Sequence, residues 1–198
     1  MIDMETLLDR GIAAVVPKYQ QGSGNVVEII TSDGLAASYP HTVQWALRHI
    51  AQYYGIDLES IKAHYAKMLN IKHNLPVPLA VDAIFMPVKV RKPVVDGDTA
   101  SGFVNILQIN DVCQDDEGVY IKFRSGQRLR VLQSVNTVRN HLRDATVVRQ
   151  DFLRRYIERR EKSSIFHEME EQYNMPATKG DIAVIADRLM TLMNRLGQ

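Results

Sequence analysis

The sequence predicts an α+β fold: mainly an antiparallel sheet of short strands and hairpins, with a central helical pair and a C-terminal helical extension. Three observations support this class. Short β-branched runs separated by Gly, Asp and Ser turns are typical of hairpins. Apolar residues three and four positions apart indicate two helices within residues 40–69, with Gly55 between them. The same spacing returns near the C-terminus, where it indicates a further helix.

The first strands are predicted close to the N-terminus. Residues 12–17 form a short apolar strand, and a Gly-Ser-Gly-Asn loop at 22–25 leads into a second strand, Val26–Thr31. A turn at Ser32-Asp33-Gly34 then allows Leu35–Tyr39 to return as a third strand. The glycine loop lacks the remainder of the Walker and dinucleotide patterns, so it does not predict a phosphate site.

The helical pair follows these strands. Pro40–Tyr54 is helical by its apolar spacing, and Asp57 can cap a second helix through its carboxylate. Four histidines are scattered over this region, His41, His49, His64 and His73. No two of them are three or four positions apart, so the pattern does not predict a metal site.

Residues 72–103 are predicted to organise the rest of the chain. Pro76 and Pro78 favour an extended edge strand, since each proline lacks an N–H group and restricts the residue before it. A second apolar strand follows, in which Pro87 implies a bulge, an edge or the end of the strand. A short basic cluster comes next, made of Lys89, Arg91 and Lys92.

A second set of hairpins is predicted beyond this stretch. Phe103–Ile109 should pair with Val119–Phe123 across an acidic turn, and Ser125-Gly126 should connect onward to Gln127–Leu132. Alternation then brings four cations onto one strand pair, Lys122, Arg124, Arg128 and Arg130. Such a row also fits the ordinary solvent-facing side of a sheet.

Ser134 is a predicted N-cap for a helix that runs towards Ile157, with a β-branched run at 146–148 where it can break. Its polar positions are rich in arginine: Arg139, Arg143, Arg149, Arg154, Arg155, Arg159 and Arg160. Arginine offers a planar fork that suits phosphate or a narrow minor groove. Residues 122–162 carry 12 Lys/Arg against 4 Asp/Glu, although the whole chain has a net charge of only +1. This segment is therefore predicted to bind a polyanion.

The composition changes after residue 162. An acidic patch comes first, Pro176 interrupts the chain, and Asp181 can cap a last helix. That helix carries an apolar stripe with spacings of three and four, Ile182, Ile185, Leu189, Leu192 and Leu196. The stripe needs a partner, either the body of the protein or a second copy. We therefore divide the chain into a domain with the predicted polyanion-binding segment, residues 1–162, and a helical C-terminal extension, residues 163–198; the family resemblance described below implies that the first is a DNA-binding domain.

The remaining composition narrows the class of protein. Cys113 is the only cysteine of the 198 residues, which excludes an internal disulfide and fits a reducing, cytoplasmic compartment. No apolar run approaches the roughly 20 residues of a membrane span. No nucleophile elbow is present, and the segment 167–171 lacks the second histidine of a zincin. The sequence thus predicts no enzyme, no catalytic residue, no metal and no cofactor.

Several motifs resemble the ComK family of competence transcription factors. They are the strand at 12–17, the segment 49–55 with its paired tyrosines, the run Ala83-Ile84-Phe85-Met86-Pro87 followed by Arg91-Lys92-Pro93, and residues 119–126. The resemblance spans roughly residues 11–160. Two places depart from it: Ala46–His49 replaces a more basic, cysteine-containing run, and Ser101-Gly102-Phe103 replaces a cysteine–glycine–tryptophan-like entry.

The resemblance implies a transcription activator that contacts A·T-rich minor grooves of double-stranded DNA as a homo-oligomer, associated with the nucleoid. It also implies a protease adaptor as a regulatory partner. The predicted DNA-binding residues are Lys89, Arg91, Lys92, Lys122, Arg124, Arg128, Arg130, Arg139, Arg143, Arg149, Arg154 and Arg155. The alternative is a cytoplasmic protein-interaction module whose basic strip binds an acidic protein partner.

Overall fold

The computed structural model describes residues 3–174 and 179–196. The chain forms two compact units, Met1–Arg154 and Arg155–Gln198. The helices are α1 (Met4–Asp9), α2 (Val43–Tyr53), α3 (Leu58–Leu69), α4 (Val135–Asn174) and α5 (Lys179–Leu196). The strands are β1 (Ile12–Gln20), β2 (Gly24–Thr31), β3 (Ala36–Tyr39), β4 (Val77–Ala80), β5 (Ala83–Lys89), β6 (Ser101–Asn105), β7 (Ile109–Asp115), β8 (Gly118–Phe123) and β9 (Arg128–Val131).

The strands of the first unit form two antiparallel sheets. The larger sheet has six strands in the order β3-β2-β1-β6-β5-β4, and the smaller has three in the order β7-β8-β9. The helical pair α2 and α3 lies between β3 and β4 in the chain. This arrangement confirms the predicted α+β class.

The six-stranded sheet is buried on both faces. On one face Val15, Val27 and Phe85 pack with Leu47 of α2 and Leu58 of α3. The other face packs against the three-stranded sheet and α4, through Ala14, Val16, Met86, Val104, Ile121, Phe123 and Val138. Burial on both faces explains why β1 and β5 are almost continuously apolar instead of alternating with polar residues.

β1 and β6 join the two halves of the large sheet. Ala14 lies opposite Val104, and Val15 lies opposite Phe103. A Cβ atom on Gly102 would lie 2.7 Å from the carbonyl oxygen of Val15, closer than side-chain carbons approach main-chain atoms. Glycine is therefore required at this position because the two backbones approach closely.

The predicted first hairpin and the predicted caps at Asp57 and Ser134 are confirmed. β1 pairs with β2, and β2 pairs with β3. The Asp57 carboxylate accepts a hydrogen bond from the Ser60 N–H at 2.6 Å, as expected of an N-cap. α2 begins at Val43 instead of Pro40, because the Thr42 side chain accepts from the Trp45 N–H and so becomes the N-cap.

The prolines act as predicted at the edge of the sheet. β4, with Pro78, is the outermost strand. Pro87 lies within β5, but β4 pairs with β5 only as far as Phe85. The Lys89 N–H points away from β6, towards Gln133. Backbone nitrogens two residues apart in a strand face the same side, so the nitrogen of Pro87 faces the side where β4 no longer pairs with β5. No ladder hydrogen bond is lost at Pro87.

Three further sequence-based boundaries are wrong. The predicted strand Phe103–Ile109 is split by a 3₁₀ turn at Ile106–Gln108, so β6 joins the large sheet and β7 pairs with β8 instead. The turn forms because the Asn105 side chain accepts from the Leu107 N–H at 3.2 Å. α4 also continues through the β-branched run at 146–148, where Val148 is buried and so gains packing energy that offsets its weak helix propensity.

The third boundary is the start of α5, which begins at Lys179, so Asp181 lies inside the helix and is not its N-cap. The predicted interruption at Pro176 falls outside the described residues. Phe85 is fully buried, which confirms its assignment to the core.

Phe85→Ala is expected to lower the free energy of unfolding by about 3–5 kcal/mol, because it removes a large side chain and leaves a cavity between the sheet and its helices. Chemical denaturation measures this change. Val94→Ala is the matched control: Val94 is 80% exposed, and its truncation should change stability by less than about 0.5 kcal/mol. Equal denaturation midpoints for parent and Phe85→Ala would contradict the core assignment.

Candidate functional site

On the outer face of the three-stranded sheet, β8 and β9 carry one aromatic and three basic side chains, beside Asp111 and Asp115 of β7. We call Tyr120, Lys122, Arg128 and Arg130 the basic sheet face. Lys122 of β8 lies opposite Arg128 of β9, and Tyr120 lies opposite Arg130. Side chains alternate along a strand, so these four share one side. The alternate residues Val119, Ile121 and Val131 are buried against the large sheet.

Arg128 is engaged within this face. Its guanidinium lies 4.1 Å from the centroid of the Tyr120 ring and donates a hydrogen bond to the Asp115 carboxylate of β7. That hydrogen bond is the main reason why the pKa of Asp115 is lowered and the pKa of Arg128 is raised. Tyr120 donates in turn to Glu117 at 3.0 Å. The positive charge of Arg128 is therefore largely compensated.

Lys122 and Arg130 differ from Arg128. Neither forms an ion pair in the part of the chain that the structure describes. The Arg130 side chain extends over Gly118, where a Cβ atom would lie 3.4 Å from its Nε. These two are the basic residues of the face that form no ion pair among the described residues, although Asp111 of β7 lies directly opposite Lys122.

Arg124 lies outside β8, in the turn that leads to β9. Its N–H donates to the Gln108 carbonyl at 2.9 Å. Gln127, at the end of the same turn, donates to the Gly34 carbonyl at 2.6 Å and so attaches the turn to the β2–β3 loop. Arg124 is therefore an exposed cation on an anchored turn, and not a member of the strand pair as the alternation predicted.

Lys89 borders the three-stranded sheet from the end of β5. Its carbonyl accepts from the Leu132 N–H at 2.7 Å, and its N–H donates to the Gln133 side chain at 2.9 Å. Both partners follow β9 directly. Lys89 is exposed, as is Lys92 in the loop that follows.

Arg91, between these two lysines, is turned into the protein. Its Nε donates to the Thr99 carbonyl at 2.9 Å, its Nη2 donates to the Asn25 side chain at 2.8 Å, and its guanidinium lies 4.1 Å from the Tyr19 ring centroid. Asp98 accepts from both Tyr19 and Asn25. Arg91 thus holds the loop 92–99 on the β1–β2 hairpin, and its donors are directed away from solvent.

The arginines of α4 fall on different sides of the helix. At about 100° per residue, Arg139, Arg143 and Arg154 lie within an arc of about 60°, and all three are exposed. Arg139 also lines a shallow groove of about 260 Å³ beside Asn110, at the start of β7. Arg149 lies nearer the buried stripe and is partly buried. Arg155 is partly buried as well and belongs to the second unit.

Asp151 attaches α4 to α3. Its carboxylate accepts from the Tyr65 hydroxyl at 3.2 Å and from Arg154 at 2.8 Å, and it lies 3.7 Å from the His64 Nε2. Tyr65 is buried. The sequence reasoning missed Asp115, Tyr120 and Asp151 as partners of arginine. Of these three, only Tyr120 could have been found from the sequence, because it lies two positions before Lys122 and therefore on the same side of the strand.

Two of the scattered histidines flank the single tryptophan. The rings of His41 and Trp45 stack with centroids 3.9 Å apart, and those of Trp45 and His49 are 4.1 Å apart. Among the described residues, no group of three or more His, Cys, Asp or Glu could hold a metal ion. Within the same residues, every helix is too short or too polar to cross a membrane.

No family model, curated protein or solved structure matches this chain. The likeness to the ComK family therefore rests on the sequence motifs alone.

Arg128→Ala is expected to raise the pKa of Asp115 towards its ordinary value of 3.8, because it removes the hydrogen bond that stabilises the carboxylate. Carboxyl-carbon NMR titration measures this. Because the pKa of Asp115 is lower in the folded state than in the unfolded state, its pairing with Arg128 stabilises the parent at pH values above the unfolded-state pKa. This stability is lost as the pH falls through the folded-state pKa. Arg130→Ala is the control and should leave the pKa of Asp115 unchanged. A pKa that is equal in parent and Arg128→Ala would contradict the assigned cause.

Proposed function

We propose that this protein is a DNA-binding transcription activator, similar to competence regulators, that contacts A·T-rich minor grooves as a homo-oligomer. The observation that carries the proposal is a set of cations on and around the three-stranded sheet, the exposed Lys89, Arg124, Arg130 and Arg139 and the partly buried Lys122. They come from β5, β8, the turn after it, β9 and α4, all within the first unit.

Each of these cations stands on an anchored part of the backbone. Lys122 and Arg130 are in paired strands, the Arg124 turn is attached to Gly34, and Lys89 is attached to the residues after β9. A rigid array of cations loses little conformational entropy on binding. Its contacts to phosphates release counterions, which favours association at low salt. Arginine also suits the narrow, strongly negative minor groove of A·T-rich DNA.

A second candidate function is supported by the acidic residues of the β7–β8 hairpin. The β7–β8 hairpin places Asp111, Asp115, Asp116 and Glu117 beside the cations, and Asp115 already pairs with Arg128. A surface of mixed charge suits a protein partner, whose own side chains can match both signs. In this alternative the protein is an interaction module that binds an acidic protein.

The oligomer in the proposal is assigned to α5. Its described apolar side chains Ile182, Ile185, Leu189, Met190, Leu192 and Met193 are between 54% and 71% exposed. Ile182, Ile185, Leu189 and Leu192 have the spacing of three and four that suits pairing with an identical helix. Pairing would bring two DNA-binding units onto neighbouring sites and so raise the overall affinity. Nucleoid association follows from DNA binding, and a protease adaptor is the regulatory partner that the resemblance implies.

The double variant Lys122→Ala, Arg130→Ala is expected to weaken binding to an A·T-rich duplex and to lower the salt slope by about one unit per lost phosphate contact. Titrations of a labelled duplex at several salt concentrations measure both quantities. A DNA-binding protein of this kind should also keep its preference for A·T-rich over G·C-rich duplexes at fixed salt.

The matched control is Arg48→Ala, Lys67→Ala, which removes the same charge from exposed positions of α2 and α3. It should leave the salt slope unchanged. If both double variants weaken binding equally, the protein responds to net charge and not to the three-stranded sheet. If the parent shows no preference for A·T-rich DNA, the interaction-module alternative is favoured.

Ile185→Asp, Leu189→Asp is expected to shift the full-length protein towards monomer, because two charges in the stripe oppose its burial against another helix. Sedimentation velocity over a range of concentrations measures the shift. Ala183→Glu, on another side of α5, is the control and should sediment like the parent. A parent that is monomeric at every concentration would sink the assignment of the oligomer to α5.

A further inference from the structure

A groove of about 470 Å³ lies on the helical face of the six-stranded sheet, opposite the face that packs against the three-stranded sheet. Its floor is made by Pro87 of β5 and by Ser101 and Phe103 of β6. One wall comes from α2 and α3, and the other from the loop 72–75. The volume is within the range of small-molecule sites, roughly 300–1,000 Å³.

Hydrogen bonds from side chains to main-chain carbonyls hold the lining of the groove in place. The Pro87 carbonyl accepts a hydrogen bond from the His141 ring at 2.8 Å, and the Thr99 carbonyl accepts from Arg91 at 2.9 Å. The loop opposite is shaped by Asn70 and Asn74, which both adopt left-handed backbone angles with φ of 53° and 54°. Asparagine adopts this conformation more readily than most residues with a side chain, and Asn70 does so as the C-cap of α3, where its N–H donates to the Ala66 and Lys67 carbonyls. The groove is therefore preformed, which lowers the entropic cost of filling it.

The lining combines an apolar floor with a cationic rim. Ala63, Ala66 and Phe103 supply apolar surface, while Lys62 and Lys72 stand at the rim with His73. Among the described lining residues Glu59 is the only acidic one, so their formal charge is +1 with His73 neutral. Lys62 is weakly held, with its Nζ 3.7 Å from Glu59 and 3.4 Å from the Gln44 side-chain oxygen. Its charge can thus turn to a ligand at little cost.

We infer that this groove binds a small amphipathic anion, a molecule with a compact apolar body and one carboxylate, sulfonate or phosphate group. The apolar body lies on Phe103 between the two alanines of α3. The anionic group lies at the rim, between Lys62 and Lys72. Binding of this kind is independent of DNA, so it stands or falls separately from the proposed function.

The test uses two fluorescent probes with the same ring system. 8-Anilinonaphthalene-1-sulfonate carries one negative charge, and N-phenyl-1-naphthylamine carries none. Titration of the full-length protein with each probe, in the absence of nucleic acid, gives the two affinities. Lys62→Gln, Lys72→Gln is expected to weaken binding of the sulfonate at least about fivefold, because it removes both charged donors. It should leave binding of the neutral probe unchanged.

Two further variants locate the site. Lys67→Gln removes a lysine of α3 that does not line the groove, and it should bind both probes as the parent does. Ala66→Trp fills the groove and should weaken both probes, with circular dichroism confirming that the variant is folded. The inference is overturned if Lys62→Gln, Lys72→Gln binds the sulfonate as tightly as Lys67→Gln. It is also overturned if a folded Ala66→Trp binds both probes like the parent.

Discussion

The pairing of β1 with β6 is the constraint on which the rest of the first unit depends. It joins the N-terminal strands β1–β3 to β4–β6, which the chain reaches only after the helical pair. Gly102 lets the two backbones meet, and the buried Asn105 secures the junction by donating to the carbonyls of Ile12 and Asp82. An unpaired amide in this position would be costly, so these hydrogen bonds favour one register.

Once the large sheet is assembled, its two faces acquire different roles. One face takes the helices and leaves the groove over Phe103. The other takes the apolar side of β7–β9, because Ile121, Phe123 and Val131 have no other surface on which to be buried. Alternation then directs Tyr120, Lys122 and Arg130 to solvent. The basic sheet face is thus a consequence of the packing behind it.

The number of basic residues in a segment does not equal the charge that a partner meets. Lys89 and Arg91 are two positions apart, yet Lys89 is exposed while Arg91 joins a loop to the β1–β2 hairpin. Arg128 and Arg130 are also two positions apart, and within the part of the chain that the structure describes only Arg128 is paired with a carboxylate. Desolvated or paired arginines contribute to stability and geometry, whereas exposed, unpaired cations attract polyanions.

The sequence by itself determined the features that depend on neighbouring residues. The α+β class, the first hairpin, the Asp57 cap, the edge strand with Pro78 and the outward row on β8 and β9 all follow from turn residues, capping side chains and period-two alternation. The division of residues 103–109 between two sheets could not be predicted from the sequence. It depends on hydrogen bonds from Asn105 to the carbonyls of Ile12 and Asp82, which only folding brings close. The same holds for the pairing of Arg128 with Asp115, the attachment of α4 through Asp151, and the groove. Each joins residues distant in the chain, and which of many cations meets a carboxylate is decided by packing in three dimensions.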